Sequence, residues 1–218
     1  MSQGNTLTID VVSDVCCPWC YLGKRRLDKA LAELGDLDLT VTYRPYQLDP
    51  TIPAEGYDRK AYMAAKFPDA GQLRAVHDRL AEFGRADGIN YDFDAIEKAP
   101  NSLDAHRTLR WALAEGRQAE LKERLMSLYW TKGADIGDIA VLAAAAATVG
   151  MDGAAVARRL NSDEDRAAVQ DEIASYQRMG VRGVPTFILD SKYAVSGAQE
   201  VATLVASIRD VAAEKARG

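Results

Sequence analysis

Two cysteines separated by two residues, Cys17 and Cys20, are the part of this sequence best suited to chemistry. Pro18 and Trp19 lie between them, and this spacing lets the two sulfurs close a small ring without moving the rest of the chain. Such a pair can pass between a dithiol and a disulfide. Only the thiolate form of a cysteine attacks a disulfide. The four residues therefore predict dithiol–disulfide exchange, with Trp19 as an apolar contact beside the reactive sulfur.

The elements that flank this motif indicate how it is held. Residues 7–13 are rich in β-branched residues and predict a buried strand, whereas residues 18–34 have the pattern of an amphipathic helix. Pro18 suits the first helical position because the N–H group that it lacks would have no partner there. Cys17 then lies at the helix N-terminus, where free N–H groups and the helix dipole favour a thiolate. We expect Cys17 to attack and Cys20 to be the more shielded, resolving thiol.

Other roles for the cysteines fit the sequence less well. A structural zinc site needs further ligands, and Cys16, His77 and His106 do not follow the spacing of one. A purely structural disulfide across two residues would restrain little of the unfolded chain. We therefore expect no metal site. Cys16 is predicted to point into the core as a small apolar residue, because side chains alternate at a strand end.

The composition is that of a globular enzyme. The 218 residues carry a net charge of −5, from 27 basic and 32 acidic residues that are mixed along the chain. They contain no basic stripe of the kind that nucleic-acid binding requires, and the longest apolar run, 139–149, is too short to span a bilayer. Nucleic acid and membranes are therefore not expected partners. With no visible leader and three cysteines, the expected location is the cytoplasm.

The rest of the chain alternates strands and helices before and after a long helical block. A second strand is predicted over 39–44, and helices fill 58–179. Residues 181–189 lead into a third strand, 193–196 form a fourth, and 199–216 form a closing helix.

This order predicts an α/β protein with a thioredoxin fold, in which a large all-helical insertion separates the β-α-β and β-β-α halves. Residues 1–48 and 176–218 are expected to form the thioredoxin-like domain, and residues 49–175 the insertion.

A second motif, Gly183 to Thr186, stands just before the third strand. A proline there can simply mark the start of a strand. Together with the cysteine motif, however, Pro185 is typical of a cis-proline loop, since a cis X–Pro bond costs little. Pro185 would then lie against the two sulfurs, and the backbone of Val184 would be free to pair with an extended substrate.

Three segments carry a family resemblance: residues 13–23, 101–107 and 180–187. Through them nearly the whole chain resembles the DsbA-like thioredoxin-fold oxidoreductases of the FrnE type. The resemblance implies a redox pair of Cys17 and Cys20, a disulfide-containing protein or a small thiol as substrate, no tightly bound cofactor, and a homodimer as one assembly. It also implies the DsbA-like version of the thioredoxin fold.

Kappa-class glutathione transferases and 2-hydroxychromene-2-carboxylate isomerases resemble the same architecture. They would make the protein a glutathione-dependent isomerase or transferase, with glutathione as co-substrate. Their usual pattern has a serine in place of Cys17 and lacks the second cysteine, so this sequence favours redox chemistry. Asn101 is hypothesised to line the cleft facing Cys17, although a helix cap explains it equally well. Asp14 is expected either to assist proton transfer or to accept hydrogen bonds at the helix start.

Overall fold

The computed structural model describes residues 6–217. The strands are β1 (Leu7–Ser13), β2 (Leu39–Pro45), β3 (Tyr57–Asp58), β4 (Lys98–Ala99), β5 (Thr186–Leu189) and β6 (Tyr193–Ser196). The helices are α1 (Pro18–Glu33), α2 (Arg59–Lys66), α3 (Ala70–Ala86), α4 (Leu103–Ala114), α5 (Gln118–Lys132), α6 (Ile139–Thr148), α7 (Gly153–Leu160), α8 (Arg166–Arg178) and α9 (Val201–Arg217). Within residues 6–217, the helices are too short or too polar to cross a bilayer.

The central sheet has the strand order β2-β1-β5-β6. Strand β1 is parallel to β2 and antiparallel to β5, and β5 is antiparallel to β6. Leu7, Ile9 and Val11 alternate along β1 and face α1 and α9 in one core. Val12 faces the other side, where it packs against Ile188 and α8. The predicted thioredoxin fold is confirmed, because the β-α-β and β-β-α halves share this sheet.

The helical insertion lies between β2 and β5. Helices α4, α5 and α6 pack around a core that includes Leu125, Met126 and Trp130, and the same core contains Cys17 and Cys20. The prediction that the insertion is entirely helical was wrong in one detail, since β3 and β4 form a short antiparallel pair. Two-residue strands have too few positions to show alternation in a sequence. The redox motif therefore lies where the two parts of the fold meet.

Candidate active site

The redox motif forms the turn from β1 into α1. Cys17 is the N-cap residue of α1, with an extended backbone (φ −102°, ψ 117°), and Pro18 is the first helical residue. The Cys17 N–H donates to the Asp14 carbonyl at 3.2 Å, while the Cys17 carbonyl accepts from the Cys20 N–H at 3.1 Å. The turn therefore holds Cys17 at the helix start, as the sequence predicts.

Two aromatic side chains of the insertion anchor this turn. The Trp130 indole N–H donates to the Val15 carbonyl at 3.0 Å, and the Tyr91 hydroxyl donates to the Pro18 carbonyl at 2.7 Å. These bonds occupy backbone carbonyls on both sides of Cys17. The insertion thereby fixes the position of Cys17.

The two thiols differ more in access than in burial. The exposed fractions of Cys17 and Cys20 are 3% and 2%, so both thiols are buried to a similar extent, with Cys20 slightly the more shielded. Cys17 nevertheless lines a cleft between the redox turn and the insertion, whereas Cys20 does not. Burial raises the pKa of the Cys20 thiol, and its interaction with Cys17 raises that pKa further. Cys20 is therefore a protonated thiol at neutral pH, behind the sulfur that faces the cleft.

The loop before β5 closes over Cys17. The Val184–Pro185 peptide bond is cis, as the motif predicts. The Cys17 thiol lies 3.7 Å from the Val184 carbonyl oxygen, which accepts its hydrogen bond. Thr186 and Gly197 complete the loop: the Thr186 hydroxyl donates to the Gly183 carbonyl, and the Gly197 N–H donates to the Pro185 carbonyl, each at 2.8 Å.

Gly23 lets this loop approach α1. A Cβ atom at position 23 would lie 2.8 Å from Cγ of Pro185 and 3.4 Å from Cζ of Phe187. We expect Gly23→Ala to displace the Pro185 ring and to lower the free energy of unfolding by about 1–3 kcal/mol, as overpacking does. Disulfide exchange should slow as well, because the loop moves away from Cys17. Urea denaturation and a reductase assay measure the two effects.

Gly35→Ala is the matched control for that substitution. The nearest atom to a Cβ at position 35 is the Ala32 carbonyl oxygen, at 3.9 Å, which is an ordinary contact. A Gly23→Ala protein that is as active as the wild type and about 1 kcal/mol more stable would show that Gly23 does not position the loop, because alanine without a clash favours a helix interior over glycine by about that amount.

A cleft of about 310 Å³ opens in front of Cys17. One wall is the redox turn with the Pro185 loop, which contributes Val184, and the other wall consists of α2, α3 and the end of α5. Pro18 and Trp19 both line the cleft, and Trp19 is half-buried against Phe83. Three predicted contact residues, Pro18, Trp19 and Val184, thus lie together around Cys17, whereas Pro185 packs near Gly23 and does not line the cleft.

Asn101 is not among the residues that line this cleft. Its side-chain amide donates to the Ile52 carbonyl at 2.6 Å, and its oxygen accepts from Gln47 and from the Leu103 N–H, each at 2.9 Å. The bond to Leu103 caps the first turn of α4. The neighbours Pro100 and Ser102 line the cleft instead. The hypothesis that Asn101 faces the nucleophile is therefore wrong, and the helix-cap alternative describes its role.

Cys16 also differs from its prediction. It packs against the core as a small apolar residue would, but it is only half-buried and also lines the cleft, with its thiol 4.0 Å from the Pro100 carbonyl. The alternation of a strand does not extend to it, because β1 ends at Ser13 and the chain has already turned. Burial raises the pKa of Cys16, and the charge of Asp14 raises it further. Cys16 is thus a neutral thiol beside Cys17.

Asp14 is buried beneath the turn and organises it. Its two carboxylate oxygens accept from the Cys16 N–H at 3.1 Å and from the Leu48 N–H at 2.9 Å. Burial raises the pKa of Asp14, but the nearby His106 imidazole and these two N–H groups outweigh it, so the pKa lies below its usual range. Nε2 of His106 is 3.5 Å from the carboxylate, which is too long for a strong hydrogen bond. The hydrogen bonds confirm the structural role for Asp14.

Sequence analysis missed Lys122, a fully buried lysine on α5. Its ammonium has no hydrogen-bond partner among residues 6–217 and lies 5.8 Å from the ring of Tyr43. Burial lowers the pKa of Lys122 to about 8, against the opposing charges of Cys20 and Asp14. One signal was available: Lys122 falls on the same helix face as the apolar residues Leu125 and Tyr129.

The comparisons with known proteins agree with this geometry. The DSBA-like thioredoxin domain family matches residues 8–209. The chain belongs to that family. A probable DsbA oxidoreductase from Streptomyces coelicolor is 27% identical and superposes with a TM-score of 0.86, over 94% of this chain and 89% of that one. The chain is therefore a member of a family of DsbA-like thiol oxidoreductases.

Two more distant structures share the fold. The 2-hydroxychromene-2-carboxylate isomerase is 18% identical, with a TM-score of 0.74 over 96% of this chain and 98% of that one. The cytosolic disulfide reductase DsbM from Pseudomonas aeruginosa, with GSH, is 22% identical, with a TM-score of 0.59 over 94% of this chain and 96% of that one. At these identities the likeness extends to the fold alone.

Proposed function

We propose that this DsbA-like protein is a thiol–disulfide oxidoreductase in which Cys17 attacks and Cys20 resolves. The observation that carries the proposal is the placement of Cys17: its thiol faces both the cleft and the Val184 carbonyl of the cis-proline loop. A substrate disulfide entering the cleft meets this sulfur before any other group of the redox pair. An extended peptide or a small disulfide fits this arrangement as the partner.

The reaction has two exchange steps. The Cys17 thiolate attacks one sulfur of the substrate, which forms a mixed disulfide and releases the first substrate thiolate. Cys20 then loses its proton to solvent and attacks the Cys17 sulfur, releasing the second thiolate and closing the Cys17–Cys20 disulfide. The substrate gains two electrons and the enzyme loses two. An external thiol such as glutathione returns the enzyme to the dithiol.

The cytoplasm is the proposed location, with reduction of disulfides as the net direction. The fold likeness to a cytosolic disulfide reductase supports this proposal. So does the chemistry of that compartment, since its glutathione pool keeps an exchanging dithiol reduced.

A glutathione-dependent isomerase or transferase is the second candidate, and the shared fold of the chromene-carboxylate isomerase favours it. The Cys20→Ser variant separates the two. If the protein is an oxidoreductase, this variant incubated with glutathione disulfide accumulates a glutathione adduct on Cys17 that mass spectrometry detects, and reductase turnover stops. The second candidate would be favoured if the variant had the same glutathione-dependent isomerase activity as the wild type and if its reductase activity were also unchanged from the wild type.

A further inference from the structure

The cleft in front of Cys17 combines apolar walls with an arginine, Arg59, that forms no ion pair within residues 6–217. We infer that it selects low-molecular-weight disulfides that carry a carboxylate on an apolar or aromatic body, and that Arg59 binds the carboxylate. The inference rests on the proposed oxidoreductase function and names its substrate class. The volume of about 310 Å³ lies at the small end of ligand sites, which suits a small molecule.

Arg59 is the first residue of α2, and its guanidinium faces the cleft. One N–H group donates to the Tyr129 hydroxyl at 3.1 Å, and the guanidinium lies 5.6 Å from the centre of the Trp130 ring. No ion pair joins Arg59 to a carboxylate within residues 6–217. A guanidinium has five N–H donors arranged to bind a carboxylate through two parallel bonds. Most of the donors of Arg59 are therefore available to a ligand, while the two aromatic residues fix its plane.

The charged groups around Arg59 leave the cleft attractive to anions. Lys66 also lines it, and its ammonium contacts a hydroxyl, that of Tyr62 at 3.2 Å, rather than a carboxylate. The carboxylate of Asp49 is occupied by the N–H and hydroxyl of Thr51 and by the Tyr62 hydroxyl. The carboxylate of Asp14 accepts backbone hydrogen bonds beneath the redox turn. The acidic groups are thus engaged locally, and among residues 6–217 neither Arg59 nor Lys66 forms an ion pair, although Lys66 lies near enough to Asp49 for their charges to interact.

The remainder of the far wall is apolar. Its side chains come mainly from α2 and α3 and include Met63, Phe67, Leu73, Val76, Leu80 and Phe93. A ligand that buries an aromatic ring here gains from the removal of apolar surface from water, at about 25 cal/mol per Å². A highly polar ligand gains little from such a wall. The far wall therefore favours an aromatic body, and Arg59 favours a carboxylate attached to it.

The test compares two aromatic disulfides on the reduced protein by stopped-flow absorbance. One is 5,5′-dithiobis(2-nitrobenzoate), which carries two carboxylates, and the other is 4,4′-dithiodipyridine, which is uncharged at pH 8. Each is reduced to two thiols as the Cys17–Cys20 disulfide forms. We expect Arg59→Gln to lower the second-order rate with the carboxylate disulfide about tenfold, because a charge-assisted contact is lost. The rate with the neutral disulfide should not change.

Lys60→Gln is the matched control, because this exposed neighbour carries the same charge outside the cleft. It should change neither rate, and Arg59→Lys, which keeps the charge, should retain part of the preference. The inference would be overturned if Arg59→Gln lowered the rates with both disulfides equally, or if it lowered neither rate. Failure of the proposed function would give a different result. In that case the wild type would form no Cys17–Cys20 disulfide when it is mixed with either reagent. Circular dichroism confirms that each variant is folded.

Discussion

Replacing Cys17 with serine is expected to reduce disulfide reduction to the background rate of the reductant alone. A serine hydroxyl cannot form a disulfide, and Cys17 is the member of the redox pair whose sulfur faces the cleft. Serine is close in size to cysteine, so the buried turn should keep its packing. Insulin reduction with glutathione as reductant, followed as turbidity, measures the effect.

Cys16→Ser is the control for this variant because Cys16 is the adjacent thiol and lines the same cleft. Its neutral thiol takes no part in the proposed exchange, and the variant should keep most of the wild-type turnover. Substantial activity in Cys17→Ser that disappears when Cys16 is also replaced would assign the attack to Cys16. That result would reverse the roles of the two neighbouring thiols.

Lys122→Met is expected to give a more stable but slower enzyme. A methionine of similar length fills the same space without a buried ammonium, which has no hydrogen-bond partner within residues 6–217. Burial lowers the pKa of Lys122 from 10.5 to about 8, and this shift corresponds to about 3 kcal/mol of destabilisation while the lysine is charged in both states. The variant should therefore gain about that free energy of unfolding at pH 7.

The stability gained through Lys122→Met should decrease as the pH rises above about 8. Below pH 8 the lysine is protonated in the folded and unfolded states, and the folded state bears the full cost of the buried charge. Between about pH 8 and 10.5 the unfolded state binds more protons than the folded state, so the stability of the wild type rises with pH. The advantage of Lys122→Met should shrink across that range. Urea denaturation at pH 7, 9 and 10.5 measures this trend.

The loss of rate has a separate cause. The positive charge of Lys122 lowers the pKa of Cys20 against the effect of burial. Removing it should make the Cys20 thiol harder to ionise, so that the resolving step slows and the mixed disulfide on Cys17 accumulates during turnover. Lys132→Met, at the C-terminal end of the same helix, serves as a control. A Lys122→Met enzyme with unchanged rates, or with lower stability at pH 7, would contradict this account.

The sequence was most informative where interactions between residues close together in the chain determine the local structure. The alternation of Leu7, Ile9 and Val11 and the proline at position 18 were enough to place the strand, the helix and the N-cap cysteine between them. The turn at 190–192 was also predictable, because β5 and β6 are adjacent strands joined by a short hairpin. These features depend on neighbours within a few residues, and the strand and helix among them position Cys17.

The start of α8 shows where such reasoning fails. Asn161 and Ser162 have the side chains of an N-cap, yet the helix begins at Arg166. Both side chains donate to the end of α7, Asn161 to the Ala157 carbonyl and Ser162 to the Arg159 carbonyl, at 2.8 Å each, and the Ser162 hydroxyl also accepts from the Glu164 N–H at 3.3 Å. A polar side chain that could cap the start of one helix can equally donate a hydrogen bond to a carbonyl at the end of the preceding helix. The choice depends on how the two helices pack.

The site residues that sequence analysis misplaced depend on long-range contacts. Asn101 caps α4 and bonds to Ile52, while Lys122 comes beneath the redox turn only because α5 packs against it. Arg59 faces the cleft because Tyr129, 70 residues away, accepts its hydrogen bond. The position of Cys17 could therefore be predicted from the sequence, whereas the positions of Lys122 and Arg59 became visible only in the folded chain.

Peptide mapping across a glutathione redox titration tests the central assignment most directly. The protein is equilibrated at a series of ratios of reduced to oxidised glutathione, quenched with acid, alkylated and digested. We predict one intramolecular disulfide, between Cys17 and Cys20, that forms and disappears as a two-electron couple while Cys16 remains alkylated throughout. A disulfide that includes Cys16, or two thiols that stay reduced at every ratio, would contradict the account.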